Sequence, residues 1–299
     1  MKFLTEYLNS GSVKQQNKKR LGVACICATA ILLCLALIVL TAASIVTAVK
    51  NRSANSEEEE EGGNATPSGY TSTTLEASQI STGNLLLIDE THPYTTMPEV
   101  VSITDRPQTA EGASVYSTYL DQCFLTKEAL TALNKMVADF YAATSDENLY
   151  LTKTDYGCII TLTYYNEAAQ SNTTPIYDAE AKAYVEVYRW IAQNAAKYGF
   201  VRASGAEGTE NVFRYVGAEH AEAMRALNAD NFPAYLDALK ARCGKPSSAR
   251  TVSVNNVRYK IYYQAAAETV LVPEKNTYTV SGNNVDGYII TEVTTAAKK

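Results

Sequence analysis

The longest apolar run covers residues 21–49, which hold no charged side chain and are mostly Ala, Leu, Ile, Val, Cys and Thr. About 20 apolar residues cross the ~30 Å hydrocarbon core of a bilayer. The run therefore predicts a transmembrane helix with room for tilt. Lys14, Lys18, Lys19 and Arg20 precede it, while Lys50, Arg52 and the acidic run Glu57–Glu61 follow. The stronger positive cluster is N-terminal, which places residues 1–20 in the cytoplasm and the rest outside. A cleaved signal peptide has a shorter apolar core, ~7–15 residues, so the pattern favours an uncleaved signal anchor. Residues 50–82 are rich in Ser, Thr, Glu, Gly and Asn. They offer little to bury and predict a flexible tether.

Patterned sequence begins near Asn84. Leu85 to Ile88 predicts a short buried strand, and Val100 to Thr104 a second. Ala129, Leu130, Leu133, Met136, Val137 and Phe140 fall on one face of a helix starting after Thr126. The Thr126 hydroxyl can cap that helix by accepting a free backbone N–H. Cys158 to Tyr164 is β-branched and strand-like. Asp178 to Tyr198 predicts a helix stopped by Gly199. Phe200-Val201 and Val212 to Val216 predict short strands, and Ala218 to Leu227 and Asn231 to Arg242 two helices. Beyond Pro246 apolar residues alternate about Asn255-Asn256, the signature of a tight hairpin. Further strands are predicted over Thr269–Val272, Tyr278–Val280 and Tyr288–Val293. The pattern gives an α+β domain over 83–245 and a small all-β module over 250–295.

Charge and composition exclude several functions. The net charge is -6, and no basic stripe lies beyond the first twenty residues. Nucleic-acid binding needs clustered Lys and Arg, so no nucleic-acid partner is expected. Cys25, Cys27 and Cys34 lie in the apolar run and Cys123, Cys158 and Cys243 outside it, with no CxxC spacing. The three outer cysteines allow at most one disulfide among themselves. The only histidines are His92 and His220. A Ser/His/Asp triad through either is spatial and invisible in a sequence.

Trp190-Ile191-Ala192-Gln193-Asn194-Ala195-Ala196-Lys197-Tyr198-Gly199-Phe200, then Val201-Arg202, resembles a segment of the VanY-type D-alanyl-D-alanine carboxypeptidases, the M15B peptidases. Phe213-Arg214-Tyr215-Val216-Gly217 matches that family's F-R-Y-V-G, and the tail from Val280 to Thr291 resembles a C-terminal extension of clostridial members. The resemblance covers roughly residues 83–294. It implies an M15-like (hedgehog/DD-peptidase-type) domain with an antiparallel sheet and flanking helices.

The resemblance also implies where a zinc site would lie. The family holds zinc with His, Asp and His and uses a Glu as base. Setting the glycine of its S-E-H-x-T-G-x-A-x-D on Gly157 puts Thr154 and Thr161 at the first two ligands. Setting E-x-W-H-F-R-Y-V-G on Phe213 puts Val212 at the third ligand and Thr209 at the base, with Glu210 one residue away. Zinc wants thiolate, imidazole or carboxylate, so no catalytic residue and no cofactor are expected. Trp190, Tyr198, Arg202, Phe213, Arg214 and Tyr215 become the residues of a possible ligand pocket, with core packing as the competing reading. The expected function is a membrane-anchored pseudopeptidase whose partner is a peptidoglycan stem peptide or an envelope protein. One alternative is an active zinc D-Ala-D-Ala carboxypeptidase with displaced ligands. Another is an envelope interaction protein working through the β module.

Overall fold

The computed structural model describes residues 66–95, 97–118 and 123–294. The expected cytoplasmic tail (1–20) and transmembrane anchor (21–49) lie outside the described residues. Among the described residues no helix is long and apolar enough to cross a membrane.

In chain order the elements are β1 (Tyr70–Thr74), β2 (Val101–Ser102), β3 (Ser117–Thr118), β4 (Phe124–Leu125), α1 (Lys127–Thr144), β5 (Leu149–Asp155), β6 (Ile159–Tyr165), β7 (Thr173–Pro175), β8 (Tyr177–Asp178) and β9 (Ala183–Tyr184). They continue with α2 (Arg189–Asn194), β10 (Phe200–Arg202), β11 (Val212–Tyr215), α3 (Ala218–Leu227), α4 (Phe232–Arg242), β12 (Arg250–Val254), β13 (Val257–Ala265), β14 (Thr269–Pro273), β15 (Tyr278–Gly282) and β16 (Gly287–Thr294).

α1 forms where the apolar spacing demands it. The Thr126 hydroxyl accepts the Ala129 N–H, and Ser145 ends the helix in the left-handed region with φ 56°. Its buried face carries Leu133, Met136, Val137 and Phe140, each stabilising the fold by roughly 1.5–3 kcal/mol through apolar burial. That face lies on a six-stranded sheet ordered β10-β11-β6-β5-β3, with β7 also on β6. All its pairings are antiparallel except β3 with β5. Ile160, Leu162, Phe200 and Phe213 complete this first core.

A second core joins the two predicted domains. Leu85, Val201 and Val216 meet Met224, Tyr235 and Leu239 of α3 and α4. The same cluster includes Val252, Ile261, Tyr263 and Ile289 from the sheet ordered β12-β13-β16-β15. The β module is thus not a separate body behind the domain, because α3 and α4 bury their apolar faces on it. The described residues from Thr66 onward fall into one compact unit.

The tether ends earlier than the polar composition predicts. Residues 70–74 form β1, paired antiparallel with β14. Backbone pairing needs no apolar side chains, so a Ser/Thr-rich segment can serve as a strand. β1 is pinned by the Tyr70 hydroxyl, which donates to Glu292 at 2.8 Å. It closes a third cluster containing Tyr262, Val270, Val272 and Ile290.

Two further expectations are corrected. Leu85 and Leu86 are buried, yet residues 85–88 form no strand. Their backbone bonds go to a loop instead: Leu85 N–H donates to Ser281 Oγ at 3.0 Å and Leu87 N–H to the Asn283 carbonyl at 2.9 Å. Residues 178–198 are not one helix. Asp178 Oδ1 accepts the N–H groups of Glu180 and Ala181, both at 2.9 Å, and the chain doubles back as the β8–β9 hairpin. Only Arg189–Asn194 is α-helical, flanked by 3-10 turns, before Gly199 stops the segment at φ 83°.

Candidate functional site

The hairpin β5–β6 and the neighbouring strand β11 hold the positions where the family pattern places its chemistry. The hairpin turns through Tyr156 and Gly157, at φ 53° and 68°. Gly157 is required twice over, because a Cβ there would also stand 2.8 Å from Val100 Cγ1. β5 is irregular between Leu151 and Lys153, and from Lys153 to the turn its pairing with β6 is continuous.

Directly paired residues project to the same face of a sheet, and successive residues to opposite faces. Thr161 lies between Val212 on β11 and Lys153 on β5, so these three share a face. Thr154 lies opposite Ile160, a residue of the first core, and so projects from the other face. Its hydroxyl accepts the Phe124 N–H at 3.0 Å. Thr209 sits before β11, with its hydroxyl donating to the Ala206 carbonyl at 2.6 Å. Of the four positions the fold brings Thr161 and Val212 together and leaves Thr154 and Thr209 apart.

The shared face does not fit a zinc ion. The paired positions offer a hydroxyl, an isopropyl group and an ammonium, none of them a zinc donor at protein-like affinity, and Asp155, next along the same face of β5, adds a single carboxylate. Lys153 Nζ lies 2.8 Å from Asp155 Oδ2, and that hydrogen bond raises the lysine pKa, so the ammonium stays charged. A fixed cation with its own carboxylate therefore occupies the neighbourhood. Among the described residues no group of three or more His, Cys, Asp or Glu is placed to hold a metal ion. Glu210 faces elsewhere: Oε1 is 3.7 Å from Arg202 Nη2, and its carbonyl accepts the Tyr184 hydroxyl at 2.6 Å.

The other nucleophile and base candidates are spent. His220 is buried, with Nδ1 2.7 Å from the Tyr235 hydroxyl and Nε2 3.0 Å from Thr291 Oγ1. Burial lowers its pKa to about 3. His92 Nδ1 is 2.9 Å from both Asp89 Oδ1 and Thr91 Oγ1. A triad needs acid and nucleophile on opposite ring nitrogens, so this cluster is a loop turn rather than a relay. Cys158 and Cys243 are free thiols, and burial pushes both pKa values up. Raised thiol pKa values disfavour the thiolate nucleophile.

The motif aromatics are largely core. Trp190 packs against Phe140 and Tyr198, with ring centroids 5.9 and 6.3 Å apart. The Tyr198 hydroxyl donates to Asp139 Oδ2 at 2.6 Å. Phe213 is buried in the first core, and Tyr215 lies against Phe200 at 5.3 Å. Arg214 is also buried, its guanidinium 4.1 Å from the Phe232 ring and Nη2 donating to the Asn84 carbonyl at 3.0 Å.

Arg202 differs from these. It lines a cavity of about 470 Å³ at the β10 edge, together with Tyr184, Ala192, Ala196, Phe200 and Met224. Its Nε and Nη2 are buried without a hydrogen-bond partner. Arg202 pairs with Phe213, which also lines the cavity, and both project from the face opposite Val212 and Thr161, so this cavity is distinct from the Thr161–Val212 face. No sequence signal could have revealed it, because its walls come from β9, α2, β10 and α3, which only the fold assembles. The same holds for Lys153 and Asp155, whose place beside Thr161 follows from the register of the hairpin.

Comparison with known proteins places this geometry. No family model matches the chain. The sequence is 26% identical over 246 residues to a D-alanyl-D-alanine carboxypeptidase of Enterococcus faecium, covering 73% of this chain and 78% of that protein. The structure is similar to that of the vancomycin-resistance D,D-dipeptidase VanXYg, solved with a D-Ala-D-Ala phosphinate analogue. The TM-score is 0.57 at 17% identity, over 75% of this chain and 99% of that one. The chain therefore has the mixed α+β fold of a D,D-dipeptidase and is similar in sequence to a D-alanyl-D-alanine carboxypeptidase over most of its length.

Proposed function

We propose that this protein is a non-hydrolysing relative of the D-Ala-D-Ala carboxypeptidases. In this reading it is held at the membrane by residues 21–49, stands outside the cytoplasm, and binds cell-wall peptide or an envelope partner. The observation that carries the reading is the row Lys153–Thr161–Val212 across three adjacent strands. Hydrolysis in this fold class depends on a metal that polarises a carbonyl and lowers the pKa of bound water to near ~7. This row supplies none of the ligands that such a metal needs. A scaffold that keeps its shape and loses its metal donors is suited to binding without turnover.

The anchor rests on the uncharged apolar run and on the Lys/Arg cluster before it. The wall-facing role rests on the two relatives, both of which are named for D-Ala-D-Ala chemistry.

Metal analysis of the purified full chain, paired with D-alanine release from a pentapeptide muropeptide, tests the proposal. The expected result is substoichiometric zinc and no D-alanine above the buffer blank. One zinc per chain with catalytic D-alanine release would establish the displaced-ligand carboxypeptidase instead.

A further inference from the structure

In the C-terminal sheet one buried carboxylate stands between an amine and a carboxamide. Glu292 of β16 is only 2% exposed. It pairs with Lys260 of β13 on one side and with Tyr278 of β15 on the other, so these three side chains share a face. Lys260 Nζ lies 3.9 Å from Glu292 Oε2, and Asn276 Nδ2 donates to Oε1 at 2.5 Å. Asn276 comes two residues before Tyr278, in a segment held to β16 by the Thr277 carbonyl, which accepts the Val293 N–H at 2.8 Å.

The carboxylate is fixed and the amine can move. Glu292 Oε2 also accepts the Tyr70 hydroxyl at 2.8 Å, which holds the group while its two oxygens face the two partners. The Lys260 side chain is 39% exposed, so rotation about its own bonds can bring Nζ closer. On the inner side the face continues as the apolar cluster of Tyr262, Tyr288 and Ile290, with the Tyr70 ring edge-on to Tyr262 at 6.1 Å. An apolar wall favours uncharged reactants over an ion pair. Holding nucleophile, carbonyl and proton carrier together replaces an encounter in solution by a step within one chain.

We infer that Lys260 and Asn276 join in an intramolecular isopeptide bond, with Glu292 as the proton shuttle. Glu292 takes a proton from the Lys260 ammonium, leaving the neutral amine that is the nucleophilic form of lysine. The Nζ lone pair attacks Asn276 Cγ to give a tetrahedral adduct. On its collapse Nζ gives up a second proton, the Cγ–Nδ2 bond breaks, and Glu292 passes both protons to Nδ2. Ammonium leaves, an Nζ–Cγ amide remains, and Glu292 ends as it began, so the exchange balances without another reactant. The bond crosses β16 and fastens β13 to the segment entering β15.

Intact-mass measurement of the denatured full chain tests the inference. The wild-type chain should be lighter than its sequence by one ammonia, and a protease digest should hold a branched fragment joining Lys260 to Asn276. Lys260→Arg, Asn276→Ala and Glu292→Gln should each restore the full mass. Gln at 292 keeps the side-chain length and can still accept the Tyr70 hydroxyl, so that variant retains the sheet while losing the shuttle. Full sequence mass in the wild-type chain, both fresh and after prolonged incubation, would overturn the bond. So would an ammonia deficit that survives in Lys260→Arg, and a deficit that survives in Glu292→Gln would overturn the role of the carboxylate.

Discussion

A histidine with two hydroxyl neighbours and no carboxylate is a structural residue, and His220 shows why. The neutral ring donates from one nitrogen and accepts at the other, and the hydroxyls of Tyr235 and Thr291 can fill both roles. These bonds tie α3 to α4 and to β16. Protonation would place a charge in a fully buried site, so burial depresses the folded-state pKa from 6.5 to about 3. The unfolded chain takes up a proton that the folded chain refuses. The contribution to stability is complete above about pH 6.5 and is lost as pH falls toward 3. For one proton the slope is about 1.4 kcal/mol per pH unit, or roughly 2 kcal/mol between pH 6.5 and 5. Urea unfolding of the wild-type chain and of His220→Gln at those two pH values should show the drop in the first and a flatter profile in the second. Equal slopes would mean that His220 is not held neutral.

At the scale of elements, the loop between β15 and β16 organises the start of the fold. Asn283 Oδ1 accepts the N–H groups of Val285, Asp286 and Gly287 at 3.0, 3.0 and 2.9 Å. Asn284 Nδ2 donates to the carbonyls of Leu87, His92 and Pro93. One tight turn thus fixes itself with the first asparagine and clamps residues 87–93 with the second. Asn283→Ala removes an acceptor shared by three N–H groups and should cost roughly 2–3 kcal/mol, read as a lower urea midpoint. An unchanged midpoint would show that the turn holds its shape without that side chain. α1, α3 and the Asn255-Asn256 hairpin were legible because their signals are local: an apolar face, a cap, two residues at positive φ. The run Asp178–Tyr198 misled because Glu180, Ala181 and Lys182 are good helix formers, and the Asp178 turn outcompetes that weak preference. The family pattern sets Thr154, Thr161, Thr209 and Val212 at one site, and of these the sheet pairs only Thr161 with Val212. Thr154 falls on the opposite face because the turn at Tyr156-Gly157 pairs it with Ile160 and pairs Lys153 with Thr161, a register that composition does not reveal.

At the scale of the whole molecule, the four-stranded sheet is part of the dipeptidase-like body and not an attachment to it. Val216, Tyr235 and Leu239 share a core with Ile261, Tyr263 and Ile289, and Tyr263 N–H donates to the Cys243 carbonyl at 2.8 Å. Ending the chain at Ala249 would expose that core and leave His220 without Thr291. Burial of each large side chain is worth roughly 1.5–3 kcal/mol, and a domain of this kind holds only about 5–15 kcal/mol in total. The shortened chain should therefore lose cooperative unfolding, monitored by near-ultraviolet circular dichroism during a urea titration. A sharp transition in the shortened chain would instead make residues 250–294 a separate module, able to act alone as a binding element.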